Sequence, residues 1–69
     1  MRQLTVPGEY DNKSLLEVIR YMEQSAGFEW NTAVCLASLD GKVIAHNFLE
    51  GTFVREGQVV KILPLPTGG

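Results

Sequence analysis

The sequence predicts an α+β fold in which one main helix packs across a small mixed sheet. Three observations lead to this prediction: one amphipathic helical pattern spans residues 14–26, a short strand pattern precedes it, and further strand patterns follow it. A chain of 69 residues supports one domain with a small core. We therefore expect a single domain over residues 1–63 and an extended C-terminal tail over residues 64–69.

The first two elements are a short strand and the helix. Residues 1–6 alternate loosely between apolar and polar side chains, which is typical of a strand. Ser14 and Glu17 have the spacing of a capping box at a helix start, with Asn12 as a competing cap, and Gly27 suits the helix end. The apolar stripe of this helix comprises Leu15, Val18, Ile19, Met22 and Ala26.

The second half of the chain predicts three more strands. Thr32 to Ser38 has strand propensity, Asp40-Gly41 is a hairpin signal, and Val43-Ile44 opens the returning strand. A turn over residues 55–58 precedes the last strand, Val59 to Leu63.

Large apolar side chains in the connections are candidates for the core or for a partner. Phe28 and Trp30 follow the helix, and we expect them to cap one end of the core; the alternative is an exposed anchor for a partner. In the irregular segment over residues 45–51, Phe48 and Leu49 are the expected inward anchors.

The net charge, the cysteine count and the absence of targeting motifs argue against several classes of function. A net charge of −2 without a basic cluster argues against nucleic acid or an anionic membrane as the main partner. A single cysteine excludes an internal disulfide framework and a four-thiolate metal or iron–sulfur site. Without a signal peptide, transmembrane run or lipidation motif, the expected location is the cytoplasm.

Residues able to do chemistry are sparse and scattered. Cys35 lies among apolar neighbours, where cysteine acts as a small hydrophobe, and a dyad with His46 requires the two to converge without an obvious third group. The acidic residues form no close pair, and Gly51 and Gly57 are too isolated for a phosphate loop. We expect no bound metal or cofactor, and a protein that enzymes act upon rather than an enzyme.

The C-terminal segment, Leu63 to Gly69, is the most distinctive stretch. Pro64 and Pro66 favour a stiff, extended backbone, and Gly68-Gly69 can thread a channel that any Cβ atom would block. A carboxylate is a poor electrophile until it is activated, for example as an acyl adenylate. The segment therefore suits delivery to another protein's active site; the alternative is a frayed terminus.

Four stretches in order resemble the ThiS/MoaD family of ubiquitin-like sulfur carriers, which have the β-grasp fold. They are the helix start at residues 14–19, the strand and hairpin at 34–44, the segment Phe53 to Val60, and the terminal Gly68-Gly69. Two departures stand out. The family has a full hairpin before its helix, which implies a shortened N-terminal hairpin here, and Gln58 replaces a frequent aspartate while Pro66-Thr67 replaces small apolar residues.

The resemblance implies specific chemistry for the tail. A ThiF/MoeB-type activating enzyme would adenylate the Gly69 carboxylate with ATP, and the resulting thiocarboxylate would donate sulfur to a biosynthetic enzyme; Gly68 would provide clearance in the channel. The family serves thiamine, molybdopterin, cysteine or homocysteine synthesis and tRNA thiolation. Docking would use the exposed sheet face and the side chains of Leu65, Pro66, Thr67, Phe28 and Phe48.

Two other functions remain open at this point. The first is a ubiquitin-like protein modifier, joined through Gly69 to a lysine of another protein. The second is a β-grasp binding module without acyl chemistry, such as an RNA-associated domain, although the expected basic patch is absent. A β-grasp ferredoxin is excluded by the cysteine count.

Overall fold

The computed structural model describes residues 2–65, without the side chain of Arg2. It contains one α-helix and four strands in the order strand, helix, strand, strand, strand. Their bounds are β1 Arg2–Thr5, α1 Leu15–Ala26, β2 Cys35–Leu39, β3 Lys42–Ile44 and β4 Val59–Pro64. Short 3-10 turns at Gly8–Tyr10 and His46–Phe48 lie in two of the connections. This arrangement confirms the α+β class.

The four strands form one sheet in the order β1-β4-β2-β3, and every pairing in the described chain is antiparallel. The expectation of a mixed sheet is therefore wrong. Because α1 returns the chain between β1 and β2, these two strands run in the same direction. β4 lies between them and is antiparallel to both, so the two codirectional strands never become neighbours.

Helix α1 begins and ends at the predicted residues. The Ser14 hydroxyl accepts the Glu17 amide at 3.2 Å, and the Glu17 carboxylate accepts the Ser14 amide at 3.3 Å, so Ser14, not Asn12, is the cap. Gly27 ends the helix with φ +70°, a conformation that glycine adopts at little cost. Ala26 is exposed, unlike the other members of the predicted stripe. No helix among residues 2–65 is long and apolar enough to cross a membrane.

The core lies between α1 and one face of the sheet. Alternate residues of the strands point toward the helix, as the pairing of Ala37 with Ile62 and of Leu4 with Val60 shows. Leu49 and Val54 add to the core from the long connection between β3 and β4. The buried apolar residues are Val6, Leu15, Val18, Ile19, Met22, Ala37, Leu49, Val54, Val60 and Ile62.

Two strand boundaries differ from the predictions. β2 begins at Cys35 and not at Thr32, because the Asn31 side chain accepts the Ala33 amide and the Asn31 carbonyl accepts the Cys35 amide, which holds residues 32–34 in a turn. β4 extends through Pro64. The Asp40-Gly41 hairpin is confirmed, with φ values of +50° and +85° that match a type I′ turn.

The irregular segment after β3 gives one correction. Leu49 is an inward anchor with 3% of its surface exposed, whereas Phe48 is 61% exposed and points outward. The 3-10 turn at His46–Phe48 places adjacent side chains on different sides; the Phe48 amide donates to the Ala45 carbonyl and the Leu49 amide to the His46 carbonyl. Phe28 and Trp30 are half-buried and pack against the core, as expected for an end cap.

Candidate functional site

The C-terminal segment leaves the fold from an interior strand. β4 is paired with β1 on one side, up to Ile62, and with β2 on the other, up to Pro64. One residue later, the Leu65 amide donates a hydrogen bond of 2.9 Å to the Val34 carbonyl. The chain is therefore held against the sheet as far as Leu65, which is half-buried.

The rest of the predicted tail lies beyond the described residues. Pro66, Thr67, Gly68 and Gly69 are among them, so the roles expected for these four residues stay predictions. Pro64 and Leu65 are described, and both follow the line of β4. What the structure defines is thus the base of the tail and not its tip.

The connection between α1 and β2 lies beside this base and is tied down at several points. The Glu23 carboxylate accepts the Trp30 amide at 2.8 Å. The Trp30 ring meets the His46 ring edge-on, with 5.9 Å between centroids, and His46 Nε2 lies 2.8 Å from the Cys35 carbonyl oxygen. Since Cys35 also pairs with Pro64, these contacts connect the helix end, β2 and the tail base.

The two phenylalanines predicted to bind a partner lie in different surroundings. Phe28 belongs to the connection that follows α1 and is half-buried against the core. Phe48 lies in the second 3-10 turn, where its carbonyl accepts the Thr52 hydroxyl at 2.7 Å. The neighbouring Leu49 carbonyl accepts the Leu16 amide at the start of α1. Phe48 thus belongs to a segment that bonds to the start of α1 through Leu49, whereas Phe28 follows the end of α1 along the chain.

The sheet face opposite α1 carries apolar side chains that the sequence analysis did not single out. Leu36 on β2 and Leu63 on β4 are direct cross-strand partners on this face, and both are half-buried. Val43, on the same face, is 50% exposed. The residues Cys35, Leu36 and Ala37 are apolar at successive positions, a pattern typical of a strand with both faces in contact with other atoms, and it could have indicated this surface.

The described residues do not assemble the chemistry of an active site. His46 approaches the backbone carbonyl of Cys35, so the two residues converge without forming a thiol–imidazole pair. Among residues 2–65 no three histidine, cysteine, aspartate or glutamate side chains are grouped so as to hold a metal ion. The Arg55–Asp11 ion pair, at 3.3 Å, is exposed at the surface and joins two loops, where the Glu56 amide also donates to the Asp11 carboxylate.

Comparison of the whole chain with models of protein families, with curated proteins and with solved structures finds no match in any of the three.

Proposed function

We propose that this chain is a ubiquitin-like sulfur carrier of the ThiS/MoaD type, whose Gly69 carboxylate is adenylated and then converted to a thiocarboxylate. The observation that carries the proposal is the anchoring of the tail base. Hydrogen bonds hold the chain up to Leu65 on an interior strand, so the following residues start from a rigid point. Such a base reduces the conformational entropy lost when the tail enters a partner's channel.

The sheet supports a β-grasp with a shortened N-terminal hairpin. One strand, β1, precedes α1 in the described chain and is antiparallel to β4. If a hairpin partner of β1 were inserted between β1 and β4, it would run parallel to β4 and make the sheet mixed. The order β1-β4-β2-β3 is the order left when that one strand is omitted.

The proposed chemistry proceeds in two steps, adenylation of the terminal carboxylate and displacement of AMP by sulfide. A carboxylate oxygen of Gly69 attacks the α-phosphorus of ATP, forming an acyl adenylate and releasing pyrophosphate. Hydrosulfide then attacks the acyl carbon and displaces AMP, and loss of the proton on sulfur leaves a thiocarboxylate on Gly69. Because the partner enzyme supplies ATP and the catalytic groups, the carrier itself contributes only a threadable terminus and a docking surface.

The docking surface in this proposal is the sheet face that contains Leu36, Leu63 and Val43, together with Leu65. Half-buried leucines beside an anchored tail would align the enzyme's channel with Gly68 and Gly69. Pro66 and Thr67 would line the channel entrance. Phe28 belongs to the connection next to the tail base, whereas Phe48 would require a partner that also reaches the start of α1.

Intact-mass measurement tests the proposal. The protein isolated from its own host should first show that the natural chain ends on Gly69. Incubation with ATP, a sulfide source and a ThiF/MoeB-type enzyme from the same organism should then add the mass difference between sulfur and oxygen. Deletion of Gly69 should abolish this gain, whereas Thr67→Ala should preserve it.

A matched pair of variants tests whether residue 68 must lack a side chain for the tail to enter the enzyme's channel. Gly68→Val introduces a branched side chain where the proposal needs none, and Thr67→Val changes a residue that already has a Cβ atom. We expect the first to reduce the rate of thiocarboxylate formation strongly and the second to have little effect. An equal rate for both variants would contradict the channel.

The two alternative functions give different outcomes in related experiments. A protein modifier would produce higher-mass conjugates in cells that disappear when Gly69 is deleted, with no sulfur-bearing species. A nucleic-acid-binding module would bind RNA with an affinity that falls steeply with salt and does not depend on Gly69. Either result would replace the sulfur-carrier proposal.

A further inference from the structure

A surface cleft on the flank of α1 is distinct from the tail base and from the sheet face. The cleft has a volume of about 420 Å³ and lies between one side of the helix and the first 3-10 turn with the residues after it. Its floor contains a pair of half-buried tyrosines, Tyr10 and Tyr21, with ring centroids 5.1 Å apart and planes tilted by 38°.

The polar side chains around the cleft are not used by the fold. The side chains of Lys13 and Arg20 form no ion pair or hydrogen bond within the described chain, and the same holds for the Glu9 and Gln24 side chains. Glu17, also at the cleft, already accepts the Ser14 amide in the capping box. The uncommitted charges are therefore two cations and one carboxylate.

These groups indicate the chemistry of a ligand. Lys13, Arg20 and the Gln24 amide are donors that suit a carboxylate. The Glu9 and Glu17 carboxylates line the same cleft and repel a multiply charged phosphate more strongly than a ligand with a single carboxylate. Glu9 can also accept a backbone N–H group, and the tyrosine rings offer apolar surface. A peptide segment supplies all of these partners: a carboxylate, backbone donors and an apolar side chain.

We propose that this cleft is a docking site for an acidic peptide segment of a partner protein, in which a glutamate or aspartate side chain lies between Lys13 and Arg20 and a neighbouring apolar side chain packs on Tyr10 and Tyr21. The site does not depend on the sulfur-carrier proposal, because it uses neither the tail nor the sheet face.

Selection from a displayed library of random peptides tests this assignment on the full chain. We expect the selected peptides to share an acidic residue next to an apolar one. In NMR titrations with a selected peptide, the amide shifts should concentrate at residues 9–13 and 17–24. Lys13→Ala and Arg20→Ala should each weaken binding roughly two- to fivefold, as for exposed ion pairs, and about tenfold together.

Lys42→Ala is the matched control, because it removes an exposed cation from β3, away from the cleft, and should leave the affinity unchanged. Circular dichroism of each variant checks that the fold is retained. Selected peptides without an acidic residue, shifts outside the cleft, or an equal loss in Lys42→Ala would overturn the proposal. So would inorganic phosphate displacing the peptide at a comparable concentration, since the site would then be a general anion site.

Discussion

The Leu65 amide donates a 2.9 Å hydrogen bond to the Val34 carbonyl, and it is the single backbone donor in the segment Pro64-Leu65-Pro66. The prolines on either side have no N–H group. The chain therefore has one means of donating a backbone bond at the end of β4, and it uses that bond to attach the tail base to Val34, the residue before β2. Within the described chain, Leu65 is thus the last residue that a backbone hydrogen bond holds against the fold.

Substitutions at Leu65 should separate anchoring from docking. Leu65→Pro removes the amide and should lower the free energy of unfolding by about 1 kcal/mol, the usual net value of one hydrogen bond. Leu65→Ala keeps the amide and removes the side chain, so its stability should change less. In a binding assay with the activating enzyme, we expect Leu65→Ala to weaken affinity by roughly tenfold. Unchanged affinity would remove Leu65 from the docking surface.

The capping box at Ser14 should contribute measurably to stability. Ser14→Ala removes the hydroxyl that accepts the Glu17 amide and should cost about 1 kcal/mol in chemical unfolding. The matched control is Ser25→Ala in the last turn of the same helix, where the hydroxyl donates to the Tyr21 carbonyl, an acceptor already within the helix. We expect a change below about 0.5 kcal/mol there. Equal costs for both variants would show that the cap adds nothing specific.

Asp40 should matter for more than the hairpin turn. Its carboxylate accepts the Val59 amide at 2.8 Å, and its own amide donates to the Val59 carbonyl at 2.8 Å, so it extends the pairing of β2 with β4. Asp40→Asn keeps an acceptor and tolerates the φ of +50°. Asp40→Ala has neither the side-chain acceptor nor the tolerance of a positive φ. Its free energy of unfolding, measured in urea, should be about 1–3 kcal/mol lower than that of Asp40→Asn. Similar stabilities would contradict a structural role for the side chain.

Local signals explain which parts of the fold could be predicted. The Ser14–Glu17 box and the Asp40-Gly41 turn depend on residues at most three apart, and both are present as expected. The link between Asp40 and Val59 spans 19 residues, and nothing in either neighbourhood indicates it. The strand order of the sheet could not be predicted for the same reason, since it also depends on contacts between distant residues. Whether β4 pairs between β1 and β2 depends on packing across the whole chain, and a strand pattern does not specify its neighbours.

In the candidate site, too, the features that depend on non-local contacts could not be predicted. In the irregular segment over residues 45–51 no period distinguishes an inward from an outward side chain, so Phe48 and Leu49 appeared equivalent although only Leu49 is buried. The cross-strand pair Leu36 and Leu63 depends on the register of β2 against β4, which the sequence does not contain in local form.

His46 should support the end of the core next to the tail base. Its Nε2 atom lies 2.8 Å from the Cys35 carbonyl oxygen, and its ring meets that of Trp30, the one tryptophan of the chain. His46→Ala removes both contacts, so we expect a red shift of the tryptophan emission and a loss of about 1–2 kcal/mol in unfolding free energy. His46→Phe keeps an aromatic ring without the hydrogen bond, and should lose about 1 kcal/mol with little spectral change. If His46→Phe shifted the emission as far as His46→Ala, the ring contact would not be what shields Trp30. If neither variant lost stability, the histidine would not connect β2 to this end of the fold.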